Sequence, residues 1–156
     1  MPTPQDTIRG QLLHSIAEVA CTLVNGRAAS VALLDDVSGD LVFVAAAGQN
    51  AADVEGARFP GTTGVAGEVP RSGEPVLIGD VSANPRFARD IAVAVGYEPD
   101  AIAAVPIQRA GQTIGVLEVL DLMPIESMLA PLGMLAAHAA VALDVSAALV
   151  ADGGAP

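Results

Sequence analysis

Residues 29–35 and 41–47 form two apolar runs separated by Asp36-Val37-Ser38-Gly39-Asp40. The separator is made of turn residues, so the pair predicts a β-hairpin. Both runs are apolar at odd and even positions alike, whereas a half-exposed strand would alternate. Strands of that kind belong to a sheet covered on both faces. The rest of the chain must therefore supply two covering layers.

Periodicity supplies candidates for both layers. A helix is predicted over residues 5–25, with Ile8, Leu12, Ile16, Val19 and Leu23 as its apolar stripe and Asn25-Gly26 as its stop. The middle reads as a short strand, a glycine turn and a short helix over 59–69. A turn over 71–75 and a short strand over 76–78 follow. Residues 84–95 read as helical, with Pro85 in the first turn and Gly96 ending it. A second hairpin pairs 101–108 with 113–120 across the turn 109–112. A last helix runs over 125–151. One of its stripes holds Met128, Leu132, Leu135, Ala139, Leu143 and Ser146, and the other holds Met134, His138, Val141 and Val145. The first stripe can cover the sheet. The second needs another helix, from α-helical residues 5–25 or from a second copy in a homodimer. The order of elements predicts an α+β fold on an antiparallel sheet, as one domain over 1–151 with a disordered tail over 152–156.

Charge narrows the chemistry. Eighteen acidic residues face seven Arg and no Lys, a formal charge of −11. No basic stripe offers itself to nucleic acid phosphates, and anionic lipid would repel the chain. P-loop chemistry needs a Lys that is absent. The single Cys21 cannot close an internal disulfide, and with His14 and His138 it makes no zinc pattern. The 36–40 loop lacks the correctly spaced Glu of a calcium loop. Residues 1–6 lack the basic start of a signal peptide. The longest uncharged run, 127–143, is shorter than the roughly 20 apolar residues of a membrane span. The cytoplasm is the expected compartment, with no metal and no resident cofactor.

No catalytic constellation emerges from spacing: there is no Gly-x-Ser-x-Gly elbow and no His-Glu-x-x-His. Individual residues leave two readings each. Glu118 alternates with Ile114, Val116 and Leu120, so it shares an apolar face. It either binds a donor or cation on a ligand, or it caps loop amides or pairs with Arg58 or Arg86. Thr62 and Thr63 precede a short helix, where they serve an anion site or act as plain N-caps. Arg86 and Arg89 flank Phe87 and either clamp an anion or bridge to Asp80 or Asp90. Phe87 and Tyr97 fit a core better than a ligand platform, although the Tyr97 hydroxyl could reach a pocket. His138 is an interface residue able to make association pH-dependent. His14 and Cys21 fall opposite the first helix's stripe, on a solvent or dimer face.

The middle of the chain resembles the GAF domain family. The resemblance rests on Gly61-Thr62-Thr63-Gly64-Val65-Ala66-Gly67-Glu68-Val69, continuing through Pro75-Val76-Leu77-Ile78 to Asp80-Val81. It continues in Asn84-Pro85-Arg86-Phe87, Gly96-Tyr97, Ala104-Val105-Pro106-Ile107 and Ile114-Gly115-Val116-Leu117-Glu118-Val119. It spans residues 9–150. The family implies a central antiparallel sheet with the N- and C-terminal helices on one face. Small helices then roof a pocket on the other. Candidate pocket residues are Phe59, Thr62, Thr63, Arg86, Phe87, Ile91, Val95, Tyr97 and Glu118. The candidate dimer interface is Met134, His138, Val141 and Val145.

The resemblance implies a non-enzymatic sensory module that binds an unidentified small molecule and signals through helix-mediated dimerisation. Its output would lie in a separate partner protein or in further parts of a longer chain. A ligand-free dimerisation domain and a small enzyme of the free methionine sulfoxide reductase type are the alternatives. The cyclic-nucleotide members carry an Asn-Lys where this chain has Asp121-Leu122, and Phe-Asp-Glu where it has Ser127-Met128-Leu129. Ala92 and Val95 stand where those members place polar roof residues. Bilin and reductase members need pocket cysteines, and a haem would need a histidine there; Cys21, His14 and His138 lie on the terminal helices.

Overall fold

The computed structural model describes residues 4–153, except for the side chains of 4–7, 86, 87, 94, 146 and 148–153. The first helix, α1 (Pro4–Leu23), leads into the hairpin β1 (Ala28–Leu34) and β2 (Leu41–Gly48). The middle comprises α2 (Ala51–Val54), β3 (Arg58–Phe59), α3 (Gly64–Ser72), β4 (Val76–Ile78) and α4 (Pro85–Val95). The second hairpin, β5 (Ile102–Arg109) and β6 (Gln112–Leu120), is followed by α5 (Leu129–Gly153). The strands form one antiparallel sheet in the order β3-β2-β1-β6-β5-β4. The two hairpins thus meet at its centre, β1 against β6.

Helices cover one face. On it α1 and α5 lie side by side, burying Leu13, Ala17 and Ala20 from α1, Val24 just after it, and Leu132, Ala136, Ala139 and Leu143 from α5 against Val31, Val105, Leu117 and Val119. The other face carries Leu41, Phe43, Val116 and Leu120, packed under Val65, Val69, Ile91 and Val95. The β-bulge at Val44 shifts the register of β2. It keeps Leu41 and Phe43 on the second face while Ala45 and Ala47 turn to the first.

Several expectations need correction. The stripe expected of α1 is not its packed face: Ile8, Leu12, Val19 and Leu23 are exposed. The helix lies on the small residues Ala17 and Ala20, which let its backbone approach α5 and the sheet closely. Cys21 is half-buried against the helix-side core rather than on a solvent face, and its Sγ donates to the Gly26 carbonyl at 3.1 Å. Helix α3 continues through Pro70 and stops at Gly73, whose φ of +72° suits glycine. The short α2 was not predicted. It starts after Asn50, itself left-handed at φ 61°. Helix α5 extends through Asp152 and Gly153, where a tail was expected, and the remaining tail residues lie outside the described ones. The stretch Glu126–Val145 is also longer than the uncharged run suggested, and by length and composition alone it suffices to cross a membrane. Its buried side nonetheless rests on the sheet.

Candidate functional site

Between the sheet and α3–α4 lies a cavity of about 10 Å³, room for about one water. Its floor is β6, where Glu118 is only 4% exposed. Directly across the strand pair stands Ser30 of β1. Ser30 and Glu118 are the buried polar side chains among the described residues. The walls are apolar: Leu41, Phe43, Phe59, Val65, Ile91 and Val95. Phe43 and Phe59 meet edge to face with centroids 5.8 Å apart, a favoured aromatic geometry.

Glu118 has neither of the partners that the sequence suggested within the described set. Arg58 is engaged elsewhere, donating to Asp35 at 2.7 Å. That bond, with two backbone amides, holds the exposed Asp35 carboxyl down to about 2. Arg86 lies outside the described side chains. No described donor reaches the Glu118 carboxyl, and burial alone pushes its pKa up to about 7.

The roof is held by a carboxylate. Asp90 of α4 accepts the Gly64 backbone N–H at 3.0 Å. Gly64 opens α3, which has no acidic residue in its first turn. Asp90 therefore supplies from another helix the negative charge that a helix N-terminus favours. This overturns the expected threonine cap: Thr63 occupies the N-cap position but its hydroxyl makes no cap bond. Gly64 itself has φ +55°, and a Cβ there would stand 3.3 Å from the Asp90 Cβ. A second tie is Asn50 Nδ2, which donates to the Val95 carbonyl at 2.9 Å and pins the end of α4.

The cavity brings together Phe59, Thr63, Ile91, Val95 and Glu118 of the candidate pocket. Thr62 faces instead a neighbouring open groove lined by Gly61, Gly67 and Arg71. Arg86 and Phe87 lie outside the described side chains, and Asp80 accepts the Ser82 N–H, capping the turn there. Tyr97 is not among the lining residues. Its ring lies under the Arg27 guanidinium, 4.5 Å from carbon to centroid. Its hydroxyl is buried without a described partner, and burial raises its pKa. Leu41 and Phe43 were not foreseen, and Asp90 was expected only as an arginine's bridge, not as the acceptor of the Gly64 amide. The only hint of that role in the sequence was the absence of acid at the start of α3.

The candidate interface residues are on the outer side of α5. Met134, Val141 and Val145 are 65%, 58% and 46% exposed. His138 Nδ1 donates to the Met134 carbonyl at 2.7 Å. Cys21, half-buried with its pKa raised by burial, sits on the helix side of the sheet, away from the cavity.

The GAF domain family model matches residues 9–143. The GAF domain of a phosphoenolpyruvate-protein phosphotransferase from Coxiella burnetii superposes with a TM-score of 0.79 at 25% identity, covering 92% of this chain and 86% of that one. Free methionine-R-sulfoxide reductase from Neisseria meningitidis superposes at 0.75 with 23% identity, over 94% of this chain and 87% of that one. The dual 3',5'-cyclic-AMP and -GMP phosphodiesterase 11 of Drosophila melanogaster is 42% identical over 62 residues, 39% of this chain and only 4% of that protein's length. The family match and the shared fold agree with the two-faced sheet and roofed cavity: this chain belongs to the GAF domain family, whose members are typically regulatory or sensory ligand-binding modules.

Proposed function

We propose that this domain is a non-enzymatic sensor: a small molecule binds in the cavity beneath α4, and the signal leaves through α1 and α5 in a homodimer. Glu118 carries this reading. A carboxyl buried in an apolar layer costs stability unless something compensates it, and a bound molecule would be that compensation. The dimer half of the reading is supported by Met134, Val141 and Val145 on α5 and by Val19 and Leu23 on α1, all exposed apolar residues of the helix layer. Against a reductase role stands Cys21. A nucleophilic thiol needs a lowered pKa and access to substrate, and this one has a raised pKa on the wrong side of the sheet.

The small size of the cavity favours a second reading, a dimerisation domain with a collapsed pocket. Native mass spectrometry of the purified protein, set against its denatured mass, separates the two. A dimer carrying a discrete extra mass supports the sensor. A dimer without it moves the dimerisation domain ahead. A monomer overturns the role given to the outer faces of α1 and α5.

A further inference from the structure

Resting on the sensor reading, we propose that the cavity is selective for a small apolar molecule bearing an ammonium group, which Glu118 receives as its ion-pair partner. The polarity of the site leads to this class. Its apolar walls suit a short alkyl body, and its floor offers one acceptor with no described donor. An anion finds no welcome. The α3 N-terminus, the feature that would attract one, already holds the Asp90 carboxylate. Glu118 would repel it from below.

Few titratable groups face Glu118. From α4 comes Asp90. From β1 and β5 the facing residues are Ser30 and Ala104, which carry no charge. The described lining residues of α3, β2 and β3 carry none either. Tyr97, beyond α4, is the other titratable group that senses Glu118. When an alkylammonium enters below neutral pH, the Glu118 carboxyl gives its proton to solvent and the carboxylate pairs with the cation. Binding therefore releases a proton. The cavity has room for about one water, so entry also requires α4 to lift from the floor.

The test is calorimetric titration of the full chain with three probes of one shape and different charge: isobutylammonium, isobutyramide and isobutyrate. Isobutylammonium is expected to bind about tenfold or more tighter than isobutyrate. Its affinity should rise about tenfold per pH unit up to about pH 7 and level off above it. Glu118→Gln should abolish both the preference and the pH dependence. The pH profile is read on the unaltered protein, so the proposal stays testable if the variant fails to fold. Isobutyrate or isobutyramide binding better than isobutylammonium would overturn the ammonium class and leave the sensor reading standing. An ammonium affinity that is flat with pH or untouched by Glu118→Gln would also overturn the class. No binding by any of the three overturns the ammonium class, while the sensor reading is decided separately by the extra mass in native mass spectrometry.

Discussion

The two faces of the sheet solve burial differently. The helix face is closed by two long helices and is apolar throughout the described residues, with Leu132, Ala139, Leu117 and Val119 fully or almost fully buried. The roof face is closed by short pieces, α3 and α4, held by one hydrogen bond accepted by Asp90 and one donated by Asn50. It also buries Ser30, Glu118 and the Tyr97 hydroxyl. Polar groups left unpaired in an otherwise apolar layer reduce stability. The first face is thus the better compensated of the two, and the second carries the polar cost.

Matched core truncations would test that contrast with the largest effect. Leu132→Ala on the helix face should cost about 4 kcal/mol, because two long helices and a sheet cannot close the void. Ile91→Ala on the roof should cost less, about 2 kcal/mol, because α4 can settle onto the floor. Chemical denaturation measures both. Equal losses would show that the roof is as rigid as the helix layer.

Titration of Glu118 gives the next effect. Its folded pKa of about 7 exceeds the reference value of 4.5, so the folded state binds the proton more tightly. Stability should therefore fall as pH rises from about 4.5 to 7 and level off above, by roughly 3 kcal/mol in all. Glu118→Gln should flatten this decline and raise stability at about pH 8. Denaturation midpoints across that range measure it. A wild-type curve that is flat through the window would mean that a partner satisfies the carboxylate.

Asp90 probes the roof alone. Asp90→Ala leaves the Gly64 N–H without its acceptor and should cost about 1 kcal/mol. The loss should appear as faster amide exchange at Gly64 and along α4, with the helix face unchanged. Faster exchange on both faces would mean that the roof is not an independent unit.

How much of this was legible follows the same division. The hairpins were readable because runs of β-forming residues stop at turn residues such as Ser38-Gly39 and Ala110-Gly111, and the strands lie where those stops put them. Glu118 was readable because strand alternation places it on an apolar face whatever covers that face. The packed side of α1 was misread because bulk is a poor guide where close approach matters. Ala17 and Ala20 make the contact, while the larger Val19 and Leu23 face outward. The role of Asp90 was missed because its partner is the Gly64 amide, 26 residues away, and no local pattern records such a contact. The thiol position of Cys21 depended on the same misread helix face.

The smallest effect lies where the two faces meet. Arg27 stands immediately before β1, its Nε donates to Gln49 at 2.5 Å, and its guanidinium covers Tyr97 just past the end of α4. It also reaches Asp121, at 3.5 Å, at the end of the strand that carries Glu118. Asp121 in turn accepts the Asp100 N–H at 2.6 Å and has φ 56°. One half-exposed arginine therefore touches the exit of the roof, the exit of the floor and the end of β2. Each contact is weak: an exposed cation–π pair contributes about 0.5–1 kcal/mol and an exposed ion pair less. Arg27→Ala should lower stability by only about 1 kcal/mol. Arg27→Ala and Tyr97→Leu, whose side chains touch, should be coupled beyond additivity, whereas Asp90→Ala and Leu132→Ala, on opposite faces, should simply add. Coupling between Asp90→Ala and Leu132→Ala would place a joint between the faces in the sheet itself.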